Sequence, residues 1–133
     1  MSPAHVPVVP AGQEELYATW HLAPAVRVGT VLHCSGVLGT RPDGSVPAGL
    51  ADEIDLAFTN LAHVLAAAGA GLADVADLLT FHLDLAEQMG TFMQVRDRRL
   101  QAPWPAWTAI GVARIGAAPG PRLEIKATAH LAP

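Results

Sequence analysis

Across residues 50–68 the apolar side chains Ile54, Leu56, Ala57, Phe58, Leu61, Val64, Leu65 and Ala68 recur every three or four positions, with Asp52, Glu53 and Asp55 at the start. That period predicts an amphipathic helix, the early acidic charge suits the positive end of its dipole, and Gly69 closes it. A second helix is predicted over 87–100, with Met89, Phe92, Met93 and Val95 turned inward and Arg96, Asp97, Arg98 and Arg99 near its end. Pro103-Trp104-Pro105 stops it, because proline cannot continue the hydrogen-bond ladder and restricts its predecessor. The period changes to two over 123–131, where Leu123, Ile125, Ala127, Ala129 and Leu131 alternate with Glu124, Lys126, Thr128 and His130, the pattern of a strand with one buried face. Residues 107–115 alternate in the same way. Residues 78–83 are short and apolar enough for a buried strand, and 26–36 read as two strands, or one bent at Gly29, stopping at Ser35. Turns are predicted at 41–45, where Asp43-Gly44 supplies the positive φ, and at 117–121.

The order strands, helix, strand, helix, strand, strand predicts a single α+β domain over 1–133, one sheet carrying two helices on one face, with proline-rich residues 1–12 as an extended arm. The uncovered sheet face then needs a partner, and 51% hydrophobic against 15% charged residues makes self-association the expected answer. A net charge of −4 leaves too little positive surface to hold a nucleic acid. The apolar run at 61–72 is too short to cross a bilayer. One cysteine, Cys34, and no secretory leader pattern at the start point to a cytoplasmic protein.

Chemistry is sparse. No His pair has metalloprotease spacing and no Cys-x-x-Cys occurs, so no metal is expected. Cys34 reads as a small buried residue at a strand end rather than a nucleophile. His33, His82 and His130 lie in strands and read as sheet residues with satisfied rings. Trp104 and Trp107 either fill the core or wall an apolar pocket. Glu124, inside an alternating strand, is either a solvent-facing spacer or the polar centre of a pocket, with Lys126 on the same side and able to pair with it.

Several of these pieces stand together in order: Val28-Gly29 leading into Thr30-Val-Leu-His-Cys-Ser35-Gly36, Asn60-Leu61 with Leu65-Ala-Ala-Ala-Gly69, Leu72-Ala-Asp-Val75, Pro105-Ala106 and Leu123-Glu124-Ile125. In this arrangement, over roughly residues 25–131, the chain resembles the Rid family of enamine/imine deaminases, also called the YjgF or L-PSP endoribonuclease-like family. The resemblance implies a chorismate-mutase-like protomer with a mixed sheet, assembled as a homotrimer with small-molecule clefts between subunits. It implies hydrolysis of enamines and imines such as 2-aminoacrylate to 2-keto acids and ammonia, without metal or organic cofactor. By the same resemblance Glu124 is the catalytic residue, handling water or a proton, and Ser35 and Gly36 line the cleft.

The family's carboxylate-binding arginine follows Pro-Ala, and here Pro105-Ala106 is followed by Trp107 and Thr108. A guanidinium offers a charged bidentate fork and an indole one neutral donor, so amino-acid-derived enamines should bind badly. The second acidic position of the last strand is Lys126, and Tyr17, Trp20 and His21 all remain open as the aromatic of the family's cleft. The expectation is therefore a trimer binding a non-amino-acid or aromatic molecule against Ser35, Gly36, Trp107, Thr108 and Ala109, with Glu124 hydrolysing or tautomerising an imine or enamine. The alternatives are a non-catalytic ligand-binding or regulatory trimer and, against the acidic charge balance, an endoribonuclease.

Overall fold

The computed structural model describes residues 4–116 and 118–133. Residues 1–3 of the expected arm and Ala117 of the expected turn lie outside that set. The two helices legible from periodicity form the outer layer. The first, α2 (Leu50–Ala67), buries Ile54, Ala57, Phe58, Leu61, Val64 and Leu65. The second, α3 (Leu85–Arg99), buries Gln88, Phe92 and Val95. Met93, expected inward, is 46% exposed, because one residue past Phe92 is a rotation of about 100° away from the buried stripe.

A helix the hydrophobic pattern did not show, α1 (Glu14–Trp20), precedes them and buries none of its residues. With no stripe to bury, it carries no 3.6-residue signal. Ahead of it, the arm contributes an edge strand, β1 (Val6–Val8), paired with β2 (Ala25–Val28).

Strand β2 turns at Gly29, φ +59°, into β3 (Val31–Cys34). The sheet runs β1-β2-β3-β7-β5-β6, with β5 (Val75–His82), β6 (Ala106–Gly111) and β7 (Leu123–His130). A two-residue strand, β4 (Val37–Leu38), also pairs with β7. Only the β5–β6 pairing is parallel among the described pairs, so the sheet is mixed. The alternation expected to run to residue 115 stops pairing at Gly111, because its neighbour β5 ends at His82 and offers no further ladder.

Leu123, Ile125, Ala127 and Ala129 face the helices and are buried; Glu124, Lys126, Thr128 and His130 face the other way. On that open face Phe81 and Leu79 of β5 and Ile110 of β6, 41% exposed, place apolar surface beside these polar side chains.

Glycine is required by packing at one point and dispensable at another. A Cβ on Gly39 would run into the backbone carbonyl of Glu53, so Gly39→Ala is expected to cost about 2 kcal/mol, read as a lower urea midpoint. Gly90, inside α3, has open space around it, and Gly90→Ala is expected to raise stability by about 0.5–1 kcal/mol in the same assay.

Candidate active site

The open face is built around a break in one strand. Strand β3 pairs with β7 at 128–130 and β4 pairs with it at 124–125, so Ser35 and Gly36 interrupt a single line of pairing. At the break the carboxylate of Glu124 lies where a side chain on residue 36 would be: a Cβ on Gly36 would stand 2.5 Å from Glu124 Cδ and 2.8 Å from Oε2. Only glycine leaves that space. Lys126, expected as a possible ion-pair partner for Glu124, instead donates from Nζ to the Cys34 carbonyl at 2.7 Å, in the gap the interrupted pairing leaves.

Burial raises the Glu124 carboxyl above its ordinary value, with the Lys126 charge acting against the shift. The site is therefore a half-buried carboxylate beside the apolar Phe81 and Ile110, with the Lys126 cation nearby. A carboxyl of this kind is more basic than an exposed one and so better suited to taking a proton from water.

The other expected site residues divide between the two faces. Ser35 lies beside Gly36, but its hydroxyl donates to the Ala23 carbonyl at 2.7 Å and its N–H to the Pro24 carbonyl at 2.9 Å, which ties it back to the entry of β2. Thr108 is in register with Leu79, which is in register with Lys126, and shares the Glu124 face. Trp107 and Ala109 project from the opposite face, toward the helices. Within one chain Glu124 and Trp107 are on opposite sides of the sheet.

Trp107 is held there by stacking on Phe92, ring centroids 5.5 Å apart at 25°, and by its Nε1–H, which donates to Thr80 Oγ1 at 2.9 Å. Thr80 in turn lies 2.7 Å from His82 Nε2, and His82 Nδ1 lies 2.8 Å from Gln88 Oε1. Gln88 Nε2 donates to the Leu83 and Arg122 carbonyls at 2.5 and 2.8 Å. Since an indole N–H can only donate and an amide oxygen only accept, one neutral arrangement satisfies every member: Trp107 to Thr80, Thr80 to His82, His82 to Gln88. Burial holds His82 below its ordinary pKa, consistent with this neutral ring. The histidine is thus a satisfied sheet residue, and its partners Thr80 and Gln88, invisible as a group in the sequence, are joined only by the register of β5 and the first turn of α3.

Cys34 faces the helix layer, fully buried, and burial pushes its thiol up to about 11, so it is a protonated packing residue at neutral pH. Among the described residues no three His, Cys, Asp or Glu side chains come together in a way that could hold a metal ion. No helix among them is long and apolar enough to cross a membrane. A groove of about 620 Å³ runs between α1, residues 37–42 and α2, lined by Leu16, Val37, Asn60 and His63; Glu124 does not line it.

A small α+β domain whose mixed sheet carries helices on one face and, on the other, a carboxylate seated on the glycine of an interrupted strand defines a class of fold and site. The chain belongs to the Rid family: the family model described as Endoribonuclease L-PSP matches residues 12–131. It is 38% identical over 125 residues to the RutC family protein YjgH of Escherichia coli, covering 93% of each chain. It is 33% identical over 111 residues to the 2-iminobutanoate/2-iminopropanoate deaminase of Bos taurus, covering 82% of this chain and 79% of that one. The solved structure of protein YjgH superposes with a TM-score of 0.86 at 36% identity, over 97% of this chain and 98% of that one.

Proposed function

We propose that this protein is a cofactor-independent enamine/imine hydrolase that works as a homotrimer in the cytoplasm, with its clefts between subunits. The observation that carries the reading is the half-buried Glu124 carboxylate seated on Gly36, beside Phe81 and Ile110, on a sheet face that no helix covers among the described residues. Self-association supplies that cover, and it also allows Glu124 of one subunit to meet the β6 and α3 side chains of another, which lie on the far side of its own sheet. The deaminase activity in the names of relatives such as the Bos taurus protein supports the reaction class.

In the reaction, Glu124 accepts a proton from water as the oxygen adds to the imine carbon, and the C=N pair moves to nitrogen. The protonated carboxyl then gives that proton to the nitrogen, leaving a carbinolamine. Glu124 next takes the proton of the added hydroxyl and passes it to the same nitrogen as the carbon–nitrogen bond breaks and the C=O bond forms, so that both water protons end on nitrogen and a carbonyl compound and ammonia are released. Nothing is oxidised or reduced. Gly36 and Ser35 shape the floor beside the carboxylate, and Thr108 lies across the same face.

The substrate is an aromatic or conjugated imine rather than a small aliphatic imino acid, because position 107 holds a stacked indole with its single donor already used by Thr80. Light scattering should report three chains per particle, and ammonia release should be at least about ten-fold more efficient on an aromatic imine than on 2-aminoacrylate. A monomer at micromolar concentration would overturn the assembly, binding without turnover on any imine would favour the non-catalytic ligand-binding reading, and efficient 2-aminoacrylate hydrolysis would overturn the substrate class.

A further inference from the structure

The residue that replaces the expected arginine lies directly beneath another one. Arg96, from the last turns of α3, places its guanidinium over both tryptophans, 5.3 Å from the Trp104 ring centre and 5.0 Å from that of Trp107. Its side chain is 11% exposed, and among the described residues its ion pair is between Nη1 and Oδ1 of the neighbouring Asp97, at 2.9 Å. Nε is fully buried and has no hydrogen-bond partner among the described residues. A buried, unpaired N–H on a permanently charged group costs free energy that its surroundings do not return. Such groups ordinarily carry a partner, and for the Nε–Nη2 edge of arginine the complementary partner is a two-oxygen anion bound side-on.

Of the two indoles against this guanidinium, one is exposed. Trp104 is 51% exposed and lies between Pro103 and Pro105, outside both α3 and β6, so its indole can shift without breaking a helix turn or a ladder pairing. Trp107 cannot, being stacked on Phe92 and bonded to Thr80. A fixed indole, a movable indole and a fork-shaped cation between α3 and β6 select a flat molecule bearing a carboxylate.

We infer that Arg96 is a specificity-determining anion clamp, with Trp104 as its mobile cover, and that the ligand of this protein is an aromatic or conjugated carboxylate. The inference rests on the proposed site and deepens it: the charge recognition missing at position 107 comes from α3, and a three-carbon imino acid has no ring to hold against the indoles. Anion binding through an arginine fork is independent of whether Glu124 turns the ligand over.

The test is titration of the intact wild-type protein with benzoate, and with benzyl alcohol as its neutral counterpart, followed by the ¹⁵N–¹H signal of Arg96 Nε and by calorimetry. Benzoate should give saturable binding that moves the Nε–H signal downfield, and benzyl alcohol should bind at least ten-fold more weakly. Arg96→Gln should weaken benzoate at least ten-fold, Arg96→Lys should recover only part of it because the point charge lacks the fork, and Arg98→Gln, an exposed neighbour, should leave it unchanged. Near-ultraviolet circular dichroism confirms that the tryptophans of each variant remain packed. Equal binding of benzoate and benzyl alcohol, or benzoate affinity unchanged in Arg96→Gln, overturns the inference. Benzoate binding through Arg96 with no imine turnover leaves the clamp standing and refutes only the hydrolase reading.

Discussion

Glu124→Gln is expected to reduce turnover of whichever imine the wild type accepts by roughly 10²-fold or more while leaving the assembly intact. The amide keeps the shape of the carboxylate and loses its ability to take a proton from water. Gly36→Ala should reproduce much of that loss by geometry alone, since the added methyl would displace the carboxylate rather than any backbone atom.

The pH dependence tests the same assignment. With Glu124 raised by burial, wild-type activity should climb with pH through a midpoint above the ordinary carboxylate value of 4.5. Stability runs in the opposite direction. A carboxyl whose folded pKa is raised favours the native state below its unfolded pKa, and that contribution is lost as pH rises through the folded value. Glu124→Gln should therefore be slightly more stable than wild type at neutral pH, and this difference should vanish in acid. Steady-state rates and urea midpoints across pH 4 to 8 check both signs. Unchanged turnover in both variants would make Glu124 a spacer.

The second large effect concerns stability. Glu53 is fully buried, and both its oxygens bind Arg122: Oε1 the Nε at 2.5 Å and Oε2 the backbone N–H at 2.7 Å. Arg122 also donates from Nη2 to the Pro47 and Ala48 carbonyls at 3.0 and 3.2 Å. This joint ties the start of α2, the loop before it and the start of β7. Glu53→Ala removes one half of a buried ion pair and is expected to cost about 3 kcal/mol, at the low end for such a loss because the Arg122 side chain is 35% exposed and keeps some water. Asp52→Ala, one residue away but exposed, should cost less than about 1 kcal/mol. Equal losses in denaturant unfolding would show that both act only through the helix dipole.

Glu53 also marks the limit of reading this chain in one dimension. The sequence presents it beside Asp52 and Asp55 as one more acidic residue suited to a helix N-terminus, and its partner lies 69 positions away. The layers were legible because α2 and β7 each bury one face and so print a period. Helix α1 buries nothing and prints none. Glu124 stood out as a carboxylate inside an alternating strand, where it must face either solvent or a polar pocket, and its seat on Gly36 became visible only through the pairing of β3 and β4 with β7. For Trp107 the alternation of β6 was readable, but alternation says only that neighbours point to opposite faces, not which face belongs to which layer. Pairing with Leu78 decided that, and placed the indole among Phe92, Thr80 and Arg96.

The two rims of the sheet bear on how cleanly this protein handles concentration. Strand β1 is three residues long with Pro7 at its centre, and a residue without an N–H is a poor template for an incoming strand. Strand β6, the other rim, is confined between Pro105 and a terminal Gly111. Open-ended growth by strand addition, the route to fibres, is discouraged at both ends, so the open sheet face can remain available for a closed assembly without drawing the chain into an endless one.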